Sequence, residues 1–562
     1  MRSSGLRLWR RFQDAGGAGS ALLVGLFYAV VLAMDIYPAD PLPYRLGQYV
    51  PTDILSRVAL ETEPPGESYG VGQVLVAASR REGPEGEQIV ALGEEDIKLL
   101  RAEHVKFLAA ERRDHRWRWW GRLAGRAVVL LLLTAAMCWY VVRYRRRLVA
   151  NHWRGLAVIV FLLLMLGISK AMVHGMGWNP HAAVLTVVMA AMVMTIAYDH
   201  RFAVVLSLTL AVLTVLQMRA GLEMLMVLLA GAVAGTVRLG EIRSRTRLIE
   251  VAGIAAGVVL VAVLGVGLAK ARPLRFILFD GAWAAGATLL VGFLIQGLLP
   301  LIERIFAVAT SMTLLEWCDA SRPLLKRLAM EAPGTYNHSL QLGAMCEAAA
   351  EAVGARGLLA RVGAYYHDIG KINKPNYFVE NKEAGAASKH DKLSPAMSML
   401  IITGHVKDGM EMAWEYGLPR VLHEFIETHH GTTLVQYFYH AATEQKKSQA
   451  DRAPDEMDFR YAGPKPASRE AAILLLADAS ESSVRAMSDP TPASIENQVQ
   501  TMVSRRLMDG QLDRCEMTLN DVHIVAGSLI KSLCSIYHAR MSYPAPPGQE
   551  PSASEQVARN KE

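Results

Sequence analysis

The residue order predicts an all-α protein in two parts: a polytopic helical membrane domain followed by a soluble all-α domain, with a small α+β insert after the first span. Three observations carry that expectation. Hydrophobic residues make up 52% of the 562, and they gather before residue 300 in runs of the roughly 20 residues that a bilayer crossing needs. Beyond Pro300, apolar residues recur at the spacing of amphipathic helices, and no run alternates as a strand would. Between the first two apolar runs lies a polar, proline-containing stretch.

Residues 1–15 carry Arg2, Arg7, Arg10 and Arg11 and form a cytoplasmic tail; residues 16–34 are the first transmembrane helix. No small-x-small cleavage site precedes Asp35, so the run reads as an uncleaved anchor and not as a signal peptide. Residues 35–121 are a small extracytoplasmic domain containing Pro38, Pro41, Pro43, Pro51, Pro64 and Pro65. Within it Val71–Ala78 suits strands and Glu94–Arg122 a helix, and both a spacer and a ligand sensor remain open.

Residues 122–300 hold seven further spans, near 126–143, 154–173, 182–198, 203–218, 221–238, 248–269 and 278–300, eight in all. Arginines in the 143–154 and 238–247 connections set both inside, and the same count puts the C-terminal domain in the cytoplasm. Arg112–Arg126 and Lys270–Arg275 run against that rule. Trp117, Trp119 and Trp120 suit an interfacial belt. Lys170, Glu223 and Asp280 sit near span ends, where snorkelling to the interface is expected. Gly231 and Gly235 have the spacing that lets two helices approach.

Five cysteines without CxxC spacing give no reason to expect disulfides. The net charge of +6 is largely arginine beside the apolar runs and implies no nucleic-acid partner. Residues 301–545 are the soluble domain, with Thr443–Phe459 an exposed loop, and 546–562 a disordered tail.

Chemistry concentrates between Tyr336 and Asp478. His338, the pair His367-Asp368, His405, the pair His429-His430 and Asp478 are too many ligands for one ion. Two divalent metals sharing a carboxylate fit the number, and such pairs hydrolyse phosphate esters. Successive helical residues project about 100° apart, so each adjacent pair at a helix end can serve two neighbouring ions. Asp478 lies in the apolar run Ala471–Ala479, where a carboxylate is costly unless paired or bound to metal. His423, His440, His523 and His538 read as structural, and His390-Asp391 as part of a lysine-flanked loop. Lys371, one turn beyond the first pair, suits a phosphate contact; a charge favoured by the helix dipole is the alternative. Lys392, Lys407 and Arg485 are further candidates for an anionic substrate.

Taken together, Tyr336-Asn337-His338-Ser339, Tyr366-His367-Asp368-Ile369-Gly370-Lys371, Gly404-His405-Val406-Lys407-Asp408-Gly409, His429-His430-Gly431-Thr432-Thr433-Leu434 and Leu476-Ala477-Asp478 resemble the HD-domain hydrolases. More narrowly, the chain resembles the membrane HD hydrolases with seven transmembrane helices (PgpH type), which degrade cyclic di-AMP. Asn381-Lys382-Glu383, His390-Asp391-Lys392-Leu393-Ser394-Pro395, Gly463-Pro464-Lys465-Pro466 and Asp509-Gly510-Gln511-Leu512 support it. The likeness is specific over 310–540 and looser over the spans.

The resemblance implies a cytoplasmic phosphodiesterase domain on a multi-pass protein of the bacterial plasma membrane, opening cyclic di-AMP to pApA. It implies two ions, iron or manganese, one held by His338, His367, Asp368 and Asp478, the other by Asp368, His405, His429 and His430. Asp368 would bridge, with hydroxide between the ions attacking phosphorus; Asp368 and Lys371 are the catalytic residues expected. The partners expected are cyclic di-AMP and the bilayer, with a homodimer and an unknown outside ligand left open. Cyclic di-GMP cleavage and a receptor that only binds nucleotide are the alternatives. No Gly-Tyr-Pro element follows His430, which argues against the former. The outside domain is shorter than is usual in that family, so a sensing role does not carry over.

Overall fold

The computed structural model describes residues 17–36, 42–61, 68–83, 86–114, 116–145, 151–240, 242–382, 387–448, 454–488 and 490–538. The N-terminal tail, Arg146, Arg147, Glu383 and the 546–562 tail lie outside the described residues. The chain divides into two units, Met1–Thr310 and Ser311–Glu562.

The first unit begins with α1 (Gly17–Ile36). Six short strands follow: β1 (Ile54–Leu55), β2 (Leu60–Glu61), β3 (Ser68–Tyr69), β4 (Val74–Val76), β5 (Arg80–Gly83) and β6 (Gly86–Ile89). They pair antiparallel as β1–β4, β2–β3 and β5–β6, and α2 (Glu94–Asp114) packs beside them. Val50, Leu60, Leu75, Val76, Leu92 and Leu100 form one small core. Glu103 closes it by taking the Arg57 guanidinium at 2.6 Å.

The apolar runs become α3 (Arg116–Tyr144), α4 (His152–Lys170), α5 (Val184–Ala197), α6 (His200–Met218), α7 (Leu222–Arg238), α8 (Arg245–Ala269) and α9 (Leu274–Phe306). Among the described residues seven helices, α1, α3, α4, α5, α6, α8 and α9, are long and apolar enough to cross a membrane, one fewer than the eight spans expected. The expected span 221–238 forms as α7, whose 17 residues reach about 25 Å. α5 is the most enclosed, with Val184, Val187, Val188 and Met192 buried. At Gly231 an added Cβ would lie 2.8 Å from Val259 and 2.9 Å from Val188; the absence of a side chain lets α7 close on both α5 and α8.

Asp280 departs from the expectation of snorkelling. It is 2% exposed and accepts from Arg45 at 3.0 Å, Arg272 at 2.8 Å and Asn179. A carboxylate can stay inside a helical domain when charged donors surround it, and α9 carries it next to two arginines that composition alone cannot pair. Lys170 donates instead to the Met34 carbonyl, and Glu223 makes an exposed pair with Lys270 at 2.6 Å. α9 continues through Pro300 to Phe306.

The second unit is helical: α10 (Ser311–Trp317), α11 (Pro323–Glu331), α12 (Pro333–Ala352), α13 (Gly357–Tyr366), α14 (Pro395–Glu415), α15 (Arg420–Thr428), α16 (Gln436–Ser448), α17 (Arg469–Arg485), α18 (Pro492–Met508) and α19 (Leu519–His538). The stretch expected as a loop from Thr443 is helical to Ser448, where Thr443 Oγ1 donates to the Tyr439 carbonyl at 2.8 Å. α17 is the central helix: its apolar run Ala471–Ala477 is buried throughout, which brings Asp478 to the core's edge. Glu424 of α15 fixes its start by accepting from the amides of Ala467 and Ser468 at 2.9 and 2.7 Å.

Candidate metal centre

Three helices and the turns after two others converge on the motif residues. His338 lies one turn into α12, His367 and Asp368 directly follow α13, His405 is mid-α14, His429 and His430 follow α15, and Asp478 is in α17. Glycine makes the central approach possible. A Cβ at Gly370 would lie 1.9 Å from the His405 carbonyl oxygen, so any larger residue would push α14 off the turn that carries Asp368.

The ligand atoms fall into two groups, Asp368 with His405, His429 and His430, and His338 with His367 and Asp478. Asp368 stands between them. Its Oδ1 is 3.4 Å from His405 Nε2 and 3.5 Å from His429 Nε2, while its Oδ2 is 3.1 Å from His367 Nε2. Asp478 Oδ1 is 3.2 Å from His338 Nε2, and Oδ2 is 3.7 Å from His430 Nδ1.

The imidazoles are oriented in advance. Nδ1 of His367 donates to the Ala364 carbonyl at 2.7 Å, Nδ1 of His429 to that of Ile426 at 2.9 Å, and Nδ1 of His405 to that of Ile402. Each carbonyl lies three residues earlier, and a carbonyl can only accept. Nδ1 therefore holds the proton, and the Nε2 lone pair faces the cluster. His338 is set differently: its Nδ1 lies 3.0 Å from buried Glu481 Oε2.

Burial alone would raise the Asp368 carboxyl, but His367 and the ammonium of Lys371 beside it outweigh that and hold it well below the usual carboxylate range. Burial lowers His405 to about 3 and keeps His430 well below the ordinary imidazole value. Neutral imidazole and ionised carboxylate are the forms that bind metal. For His338, burial is outweighed by Asp478 and Glu481, which push it up to about 9; surroundings that favour a proton on that ring favour a cation beside it. Buried His367 Nε2 and Asp368 Oδ1 have no hydrogen-bond partner, which is costly unless something else engages them. By type, spacing and unsatisfied atoms, these residues fit two divalent ions.

Lys371 lies inside, its Nζ 2.7 Å from both Asp368 Oδ2 and Glu380 Oε1. Thr335 Oγ1 donates to Glu380 Oε1 at 3.1 Å, and Asn381 Nδ2 to Thr335 Oγ1 at 2.8 Å. Lys392 is exposed. Lys407 is 83% exposed and 4.0 Å from Glu411. Arg485 is exposed and reaches Glu481 at 3.6 Å.

Sequence reasoning passed over Glu481, Glu380, Tyr461 and Arg506. Glu481 had a usable signal, three residues beyond Asp478 on one helix face. Tyr461, its ring 4.2 Å from that of His430, had none.

Two family models match the chain: "7TM receptor with intracellular HD hydrolase" over residues 120–310 and "HD domain" over 335–482. The cyclic-di-AMP phosphodiesterase PgpH of Bacillus subtilis (strain 168) is 34% identical over 434 residues, covering 75% of this chain and 60% of that protein. PgpH of Listeria monocytogenes serotype 1/2a (strain 10403S) is 42% identical over 250 residues, 44% of this chain and 34% of that protein. The chain thus spans less than two thirds of either curated relative. A crystal structure of the L. monocytogenes PgpH HD domain in complex with cyclic-di-AMP is 42% identical, covering 39% of this chain and 100% of that one, with a TM-score of 0.36.

Proposed function

Because this chain belongs to the family of seven-transmembrane receptors with an intracellular HD hydrolase, we propose that it is a membrane-anchored, metal-dependent phosphodiesterase that opens cyclic di-AMP to linear pApA. The observation that carries the reading is Asp368, whose two oxygens face different ligand groups. Support for the substrate comes from two relatives named for that activity.

His338, His367, Asp368 and Asp478 would hold one ion, and Asp368, His405, His429 and His430 the other, with iron or manganese suited to such N/O donors. Ions so held supply Lewis acidity and an acidified water. The protein's own part is to fix and dry the site. Backbone carbonyls aim three Nε2 atoms inward, Glu481 faces the far side of His338, and Lys371 keeps Asp368 ionised. An ammonium has three donors; two of Lys371's point at Asp368 and Glu380, leaving one for a phosphate oxygen. Lys392, Lys407 and Arg485 face solvent, where a charge contact is worth little. We further place the catalytic unit in the cytoplasm, on the arginines of the 143–154 and 238–247 connections.

Full-length protein in detergent, loaded with manganese or iron, is expected to convert cyclic di-AMP to pApA in preference to cyclic di-GMP, and Asp368→Ala is expected to abolish turnover. Robust hydrolysis by metal-free protein, or none by the loaded one, overturns the reading.

A further inference from the structure

Arg506, in the last turn of α18, carries a guanidinium that no described residue takes up. Its Nε is shut off from solvent without a hydrogen-bond partner. No ion pair within 4 Å involves the group among the described residues. Charge is nevertheless close: the Asp478 carboxylate acts on it electrostatically, as do the Arg505 guanidinium and the Asp509 carboxylate, and the neutral Tyr461 is in the same neighbourhood. Tyr461 in turn lies against His430, ring centroids 4.2 Å apart, so Arg506 and Tyr461 belong to the Asp478 side of the ligand cluster.

The segment holding Arg506 is well tied down. Gln511, fully buried, accepts from the Thr432 amide at 2.9 Å and donates to Thr432 Oγ1 and Asp509 Oδ2, both at 2.9 Å. Arg460 donates to the Thr432 carbonyl at 2.8 Å and to Asp509 Oδ1 at 3.1 Å. This knot joins the end of α18 to the turn directly after His430. The backbone under Arg506 is thus fully engaged while the guanidinium is not. Withdrawing such a group from water is unfavourable until an anion meets it, and Asp478 has its oxygens turned toward His338 and His430.

We propose that Arg506 is the guanidinium that receives the substrate's phosphate on the Asp478 side of the cluster, which rests on the phosphodiesterase reading above. A phosphodiester spreads one charge over two non-bridging oxygens, and the planar fork of arginine matches that pair, whereas lysine offers a single point charge.

The test is kinetic, on full-length protein loaded with manganese in detergent. Arg506→Gln is expected to raise KM for cyclic di-AMP roughly 10-fold or more, the loss expected for a charge-assisted contact. Bound manganese should be unchanged, and Arg506→Lys should recover part of the loss. An unaltered KM with full metal content overturns the assignment. Titration of inorganic phosphate into the loaded wild type and Arg506→Gln is a second arm that needs no particular nucleotide. If the wild type fails to turn over cyclic di-AMP, the phosphodiesterase reading falls and this arm decides on Arg506 alone. Roughly tenfold weaker phosphate binding in the variant then upholds anion capture, and equal binding refutes it. Should Arg506→Gln fold poorly or lose metal, Arg506→Lys takes its place in both arms, with wild-type constants counting against the proposal.

Discussion

Asp368 turns one oxygen to each ligand group, and its neighbour Lys371 is bound inside the same knot of charge. Buried charge of this density is tolerated only when each group has a partner. Lys371 answers Asp368 and Glu380; the residual demand at His367 Nε2 and Asp368 Oδ1 is what a cation would meet. Glu481 plays the corresponding part for His338. Carboxylates behind metal-bound histidines typically contribute 10–100-fold in metal affinity. Glu481→Ala is therefore expected to weaken manganese binding by about that factor, read by metal titration, while leaving helix content by circular dichroism unchanged. Wild-type affinity in the variant would count against the role. The seven candidate ligands were legible because histidine and aspartate pairs have few other uses at such spacing. Glu481 was signalled only by its spacing from Asp478, and Tyr461 and Arg506 not at all, because their meaning lies in neighbours distant along the chain.

At the level of elements, the site depends on how closely α14 meets the turn after α13. Gly370 is backed against the His405 carbonyl, and backbone cannot yield as the tip of a side chain can. Gly370→Ala is expected to cost about 1–3 kcal/mol, the usual range for overpacking. It should also lower kcat/KM more than Asp368-independent properties such as membrane extraction, since His405 moves with α14. Chemical denaturation and steady-state kinetics together check this; unchanged stability would show that the turn can relax. α17 was readable from its apolar run, and Asp478 within it from the cost of a carboxylate in such a run. The helical turn at 443–448 was misread as loop because charge density hid its packing: Phe438 and Ala442 on the same helix are buried against Met399 and Phe459.

For the whole molecule, the proposed metal centre would couple ion binding to folding. An ion that binds the native arrangement and not the unfolded chain raises stability by mass action. Chelation of the protein is thus expected to abolish turnover and lower the unfolding midpoint of the Ser311–Glu562 unit, with manganese restoring both. A midpoint indifferent to chelator would argue that the ligands are not assembled in solution. Among the described residues the membrane part has seven helices of spanning length, and Asp280 within it is tied to Arg45 of the polar segment. That tie makes the polar segment part of the helical domain's packing and not a bare spacer.

Residue identity alone determined the membrane runs, the helical character of both units and the set of candidate metal-ligating side chains. Hydrophobic length, helical periodicity and donor chemistry are properties of short stretches, and they survive without knowledge of the fold. Tertiary structure alone decided which Asp368 oxygen faces which group, that Asp280 is buried among arginines and that Arg506 Nε is buried without a hydrogen-bond partner among the described residues. Each of these is an electrostatic environment assembled from segments tens to hundreds of residues apart, and no local pattern records which of them will meet.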